Sequence, residues 1–372
     1  MADSDSWLRQ NSFTFVRLAL ASMVVIGHAC ALGGFGADPI ANWSHRQTSM
    51  GSVAVLGFFA LSGFLLTHSL TASPALDRFF IHRFFRIMPG FWISLAVVVF
   101  VLAPSVLMTQ AEGSPGYIES LRVGPDSALE YLLHNCWLAV RQFNIASLFA
   151  NNPHPHAVNG SLWTLAYEGI CYLCLGLASF TGLLRRRWLT LSVFLMVYAT
   201  RVFDAFMDTT LREIAPLTLQ VIPILSDPTG LPLYLAFLSG MVCYQYRSAL
   251  RWNALSLIAA MALGWAITAR GHFDLAWPPT LAFVVIHLAR SLPFQRWQAL
   301  GDYSYGMYIY AFPIQQCLAS MGVQRHGWLA FTAASLLLSG CAGLVSWFAL
   351  EKPAINLGRR LARRLRRSEA RS

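Results

Sequence analysis

Apolar residues in this chain gather in blocks of about 18 to 22 positions, parted by short charged connectors, and within the blocks polar and apolar residues do not alternate. A helix rises about 1.5 Å per residue, so one block crosses the roughly 30 Å hydrocarbon core of a bilayer. A transmembrane barrel would show blocks of about ten alternating residues instead. The pattern predicts ten spans: Phe13 to Leu32, Ser52 to Leu70, Pro89 to Met108, Ser161 to Leu184, Trp188 to Phe206, Leu231 to Tyr246, Trp252 to Ala269, Leu275 to Ala289, Tyr303 to Met321 and Trp328 to Leu350. The eighth is short and carries Pro278 and Pro279, residues that interrupt a helical hydrogen-bond ladder. The expected fold is all-α, a polytopic membrane protein of about ten transmembrane helices. It divides into an N-terminal segment over 1–12, a membrane domain over 13–350 and a basic tail over 351–372.

Composition excludes a soluble globular protein. The chain is 56% hydrophobic and 12% charged, against about 25% charged in soluble domains, and its mean hydropathy is +0.51. The first twelve residues hold two aspartates and a single arginine, so the first apolar run lacks the basic flank of a signal peptide and reads as a retained helix. The net charge of +10 comes from 26 arginines and Lys352. With the N-terminus in the cytoplasm, 20 of these 27 basic residues lie inside; Arg46, Arg122, Arg141, Arg201, Arg212, Arg270 and Arg325 lie outside. Both termini are therefore expected in the cytoplasm. The positive charge reads as topology and contact with membrane lipid, not as nucleic-acid binding.

Thr109 to Gly160 and Met207 to Gly230 are the long outside loops able to shape an extracytoplasmic site, and Ser127 to Phe149 reads as a helix lying at the interface. The tail reads as a short basic helix or a disordered arm beside anionic lipid. Cys171 and Cys174 form a CxxC within a span, where packing explains them better than metal or redox chemistry.

Ionisable groups at membrane depth cost about 2.5 to 3.5 kcal/mol each, so they point to a cavity. Arg17 and His28 are eleven residues apart in the first span, about 20° from a whole number of turns, and share a helix face. His28 lies about 22 Å above the inner boundary, and Glu168, in an oppositely running span, about 10 Å below the outer one. The two could meet across a cavity. Ser161, Thr164, Glu168 and Tyr172 recur at helical spacing as a polar stripe. Taken alone, His28 also fits a packed histidine and Arg17 a snorkelling side chain. Arg83 and Arg86, three apart just before the third span, suit bidentate phosphate binding or topological anchoring. His154 and His156 lack a nearby third ligand, so a solvated loop is favoured over a metal site.

Six elements in register carry a resemblance: Phe15-Val-Arg17 through Gly27-His28, Gly57 through Ser62-Gly63-Phe64, His82-Arg83-Phe-Phe-Arg86-Ile-Met-Pro89, Gly160 through Trp163 to Glu168, Asp302-Tyr-Ser304-Tyr305-Gly-Met-Tyr308, and Glu351-Lys-Pro353. Together, over about Phe13 to Pro353, they resemble the acyltransferase 3 family. The resemblance implies a multi-pass enzyme of the bacterial inner membrane that moves an acyl group, usually acetyl from acetyl-CoA, onto a hydroxyl of a surface polysaccharide, lipopolysaccharide or related glycan. It implies functional positions at Arg17, His28, Arg83, Arg86 and Glu168. Only 22 residues follow the last span, so transfer is expected to be direct or to need a separate periplasmic partner enzyme. Many family members carry His where Ala311 stands before Phe312-Pro313, which counts against a catalytic role for the ninth span.

The expected mechanism docks the phosphates of acyl-CoA on Arg83, Arg86 and Arg17 and the thioester near His28. Neutral His28 acts as general base on the acceptor hydroxyl, and Glu168 orients the imidazole or holds the sugar. Trp163, Ser62 and Tyr305 are candidate substrate contacts, the last two as oxyanion donors; no permanently bound cofactor or metal is expected. A covalent acyl-histidine is open at this level. The competing class is a proton-coupled transporter or flippase using His28 and Glu168 as a relay, which leaves Arg83 and Arg86 as a mere anchor.

Overall fold

The computed structural model describes residues 6–8, 10–107, 121, 126–207, 227 and 229–369, and among them there is helix, turn and loop but no strand. Most of the segment from 108 to 125 and nearly all of 208–228 lie outside the described residues, and with them much of the two predicted outer loops.

The helices are α1 (Phe13–Leu32), α2 (Met50–Ala72), α3 (Leu76–Val97), α4 (Ala128–Asn135), α5 (Thr164–Phe180), α6 (Arg187–Met207), α7 (Leu231–Gln245), α8 (Ala254–Thr268), α9 (Phe273–Ser291), α10 (Ser304–Ser320), α11 (Trp328–Ser346) and α12 (Lys352–Glu369). A helix stands at each predicted span. By length and composition, four described helical stretches suffice to cross a membrane: Phe13–Leu32, Met50–Ala72, Leu76–Leu107 and Trp328–Arg366.

Three boundaries differ from expectation for physical reasons. The third helix begins at Leu76 and continues through a π-helical turn, Val98–Leu102, into Ala103–Leu107. Pro89 lies inside it and does not start it, so Arg83 and Arg86 are interior helical positions. The helix α9 forms although Pro278 and Pro279 lie inside it, past its first turn, and each removes one ladder bond. The predicted interfacial helix shrinks to α4. Beyond it the chain turns because buried Asn135 and Gln142 satisfy the backbone: Asn135 Oδ1 accepts from the amides of Arg141 and Gln142, while Gln142 Nε2 donates to the carbonyls of Ser127 and Asn144. Leu129, Leu133 and Trp137 remain exposed at i, i+4 and i+8, as an interfacial face requires.

The chain divides into two compact units. The first comprises Met1–Leu20, Pro39–Leu76 and Ile170–Gly301. Its centre is the crossing of α2 and α7, where a Cβ on Gly63 would lie 2.0 Å from the Phe237 carbonyl oxygen and one on Gly240 2.0 Å from that of Ala60. Only glycine permits this backbone approach, the device by which helices pack closely where no hydrophobic effect drives them together. Ser49 caps α2 through the Ser52 amide, and Asn253 and Ser256 form a reciprocal box at the start of α8. Arg201 of α6 pairs with Asp274 of α9 at 2.6 Å.

The second unit comprises Ala21–Asp38, Asp77–Gly169 and Asp302–Ser372. Ala29, Leu32, Phe312, Leu318, Ala319 and Phe331 form one of its cores, joining the upper part of α1 to α10 and α11. It holds six of the eight predicted site residues.

Candidate active site

The helix α10 organises the polar centre of the second unit. It presents Tyr308 and Phe312 four residues apart, one above the other on one face. The Tyr308 hydroxyl donates to the Ser161 carbonyl at 2.7 Å and lies 2.7 Å from Thr164 Oγ1. A phenol has one proton to give, so Thr164 is the donor in the second bond. Glu168, one turn further along α5, is half-buried and within electrostatic reach of the Tyr308 hydroxyl.

One turn up α10, the Phe312 ring meets His28 edge-on at a centroid distance of 5.4 Å. His28 Nδ1 is buried and has no hydrogen-bond partner among the described residues. Asp38 and His154 lie within electrostatic reach of the imidazole, and the His154 ring packs on Phe312 at 6.0 Å. His28 thus packs on Phe312 of α10, while Glu168 lies within electrostatic reach of Tyr308 one turn away on the same face.

Buried amides lock this face in place. Gln315 donates to the Val25 carbonyl of α1 at 2.8 Å, one turn below His28, and its own Oε1 is buried without a partner among the described residues. Gln316 donates to the carbonyls of His154 and Ala157 and accepts from Asn152, while Asn159 donates to the Ile309 carbonyl. The loop bearing His154 is therefore bonded to α10 through its backbone carbonyls, while His154 and His156 themselves are exposed. Among the described residues no group of three His, Cys, Asp or Glu is gathered as for a metal ion.

The arginine pair separates. Arg86 donates through Nη2 to Asp302 at 2.8 Å and through Nη1 to Glu351 at 2.9 Å, and its guanidinium lies 5.7 Å from the ring centres of both Tyr305 and Trp347. Glu351 is 1% exposed and also accepts from Ser346 Oγ. Two carboxylates face Arg86, which makes it a clamp joining α3, the residue ahead of α10 and the junction of α11 with α12. Half-buried Arg83 instead shares with Arg78 and Arg359 the electrostatic surroundings of His82, which makes a basic cluster. Tyr305 donates its hydroxyl proton, the one an oxyanion donor would use, to the Ile87 carbonyl at 3.0 Å. Trp163 packs edge-on against Tyr167 at 5.5 Å, ahead of the first turn of α5.

Arg17 and Ser62 belong to the first unit and are both half-buried. Arg17 is engaged within the protein. The helix α1 is unbroken from Phe13 to Leu32, so the predicted helical phase between Arg17 and His28 holds, with a rise of about 16 Å between them.

Sequence reasoning met Tyr308 and Phe312 only as motif residues without a role, and passed over Gln315 and Gln316. The two adjacent glutamines were a readable signal, because amides at membrane depth are expensive unless bonded.

These features define a helical protein with helices long and apolar enough to cross a membrane and a polar cluster around α10 inside one of its units. The chain belongs to the acyltransferase 3 family: the family model, an acyltransferase domain, matches residues 10–350. It is similar to an O-acetyl transferase of Shigella phage Sf6, 26% identical over 363 residues that cover 92% of this chain and 96% of the relative. It is also similar to nodulation protein 10 of Rhizobium leguminosarum bv. viciae, 26% identical over 381 residues covering 96% of each. No solved structure matches significantly. The protein is thus an O-acyltransferase, and family membership decides against the transporter reading.

Proposed function

We propose that this enzyme takes an acyl group, acetyl by its likeness to the phage transferase, from acyl-CoA and places it on a hydroxyl of a cell-surface glycan. It works as a ten-span protein of the bacterial inner membrane with both termini in the cytoplasm. The observation that carries this reading is His28, whose Nδ1 is buried while its ring rests on Phe312, one turn of α10 from the Tyr308 hydroxyl that neighbours Glu168.

In the mechanism, His28 Nε2 takes the proton of the acceptor hydroxyl as that oxygen attacks the thioester carbonyl. The carbon–sulfur bond then breaks, and the leaving thiolate takes the proton back from the imidazolium. Positioned base catalysis contributes typically 10² to 10⁴ in rate. Glu168 holds the acceptor or stabilises the imidazolium through the Tyr308 side of the site. The phosphates of CoA are assigned to Arg83 with Arg78 and Arg359, the basic cluster around His82. A polar cavity of about 360 Å³ lined by Asn151, Asn152, Ser320, Gln324 and Arg325 lies at the far end of α10, about 12 Å along the helix from Phe312. Its amides and guanidinium suit a hydroxyl-rich acceptor. A separate periplasmic transferase is not needed in this scheme.

The test supplies labelled acetyl-CoA to inside-out vesicles containing wild type or His28→Ala and follows label into glycan. Label transfer by wild type, lost in His28→Ala while CoA binding persists, supports the reading. Equal labelling by both removes His28 from the chemistry.

A further inference from the structure

An apolar cavity of about 290 Å³ lies between α5, α6 and α7, lined by Cys174, Ala178, Val193, Val197, Phe237 and Leu238 among others. All its lining residues belong to the first unit, so it is separate from the site built on α10. The lining changes character at one end. Thr181 and Leu183 flank the turn that carries Arg185, Arg186 and Arg187, all three exposed. Thr190, also lining, is buried and accepts from Gln245 Nε2 at 2.9 Å, while Gln245 Oε1 is buried without a partner among the described residues. Arg187 stacks over Tyr246 at 5.3 Å, which fixes one guanidinium at this end.

We propose that this cavity is a binding site for one anionic glycerophospholipid, with an acyl chain between α5, α6 and α7 and the headgroup phosphate on Arg185 and Arg186. An apolar groove at membrane depth accepts a chain of any lipid. The three consecutive arginines at its mouth add the charge complementarity that selects an anionic headgroup over a zwitterionic one. The exposed cysteine Cys174 and the half-buried Leu238 and Ala178 leave the walls open enough for a chain to enter sideways from the bilayer.

The test is native mass spectrometry of the detergent-solubilised, delipidated full chain titrated with phosphatidylglycerol or phosphatidylcholine. Wild type is expected to hold one phosphatidylglycerol about tenfold more tightly than phosphatidylcholine. Leu238→Trp and Ala178→Phe fill the groove from two different helices, and each is expected to lose the adduct. Arg185→Gln with Arg186→Gln is expected to lower phosphatidylglycerol binding to the phosphatidylcholine level. Wild type with no preference overturns the proposal, as does an adduct that survives in a folded groove-filling variant. Thermal unfolding identifies the folded variants, and the two fillings act independently, so failure of one to fold leaves the other decisive.

Discussion

The Phe312 ring stands edge-on to the imidazole of His28, with ring centres 5.4 Å apart. A side chain that the hydropathy pattern assigns to ordinary core thus forms one wall beside the candidate base. Phe312→Leu keeps the apolar volume but loses the flat wall. Turnover is expected to fall roughly ten- to hundredfold through misplacement of the imidazole, while CoA affinity measured by equilibrium binding stays at the wild-type value. Unchanged turnover would leave Phe312 as packing only.

The Tyr308 hydroxyl links Ser161 and Thr164 on the side of the site that holds Glu168. Tyr308→Phe and Thr164→Val should each cost about 1 kcal/mol of stability and lower transfer. If the bond between them is what matters, the double variant falls no further than either single one, the non-additivity expected of residues in contact. Additive losses in transfer would show two separate roles.

Removing Arg86 leaves Glu351, 1% exposed, as a buried carboxylate without its cation. Arg86→Gln is expected to cost roughly 3 kcal/mol, read as a lowered thermal midpoint. Arg86→Lys should recover little of it, since an ammonium lacks the planar fork that reaches two carboxylates at once. The double variant Arg86→Gln, Glu351→Gln should recover part of the stability. A phosphate-binding Arg86 would instead show weaker CoA binding with an unchanged midpoint.

Tyr305 donates to the Ile87 carbonyl, so Tyr305→Phe should lose about 1 kcal/mol of stability and keep turnover within about twofold. Loss of an oxyanion donor would cost on the order of 10² in kcat, a result that would return Tyr305 to the chemistry.

A Cβ at Gly240 would fall 2.0 Å from the Ala60 carbonyl oxygen. Gly240→Ala, the smallest change available, is therefore expected to abolish accumulation of folded protein, whereas Gly340→Ala, with open space around its Cβ position, is expected to be neutral. Fluorescence size-exclusion of tagged variants reads both.

Helix positions were legible wherever length and apolarity speak alone. The bounds of α1 match the hydropathy block. By contrast, α3 starts at Leu76, ahead of its apolar block, because Arg86 is neutralised by Asp302 and Glu351 and so tolerates a helical, partly buried position. Those partners lie more than 200 residues away in sequence, and local pattern carries no trace of them. The same holds within the site. His28 and Glu168 stood out as costly polar residues in apolar runs, but Phe312, which packs on His28, and Tyr308, within electrostatic reach of Glu168, look like any core. Ala311 in place of histidine argued against the ninth span, yet that helix carries the ring contact of His28.

The Arg86 clamp has a mechanical side. Glu351 is the last residue before α12, so the ion pair that secures the start of α10 also sets the point at which the arginine-rich tail departs. One side chain thus anchors two departures of the chain at once: Arg86 holds Glu351 at the root of the tail and Asp302 two residues ahead of α10, so its loss frees both together.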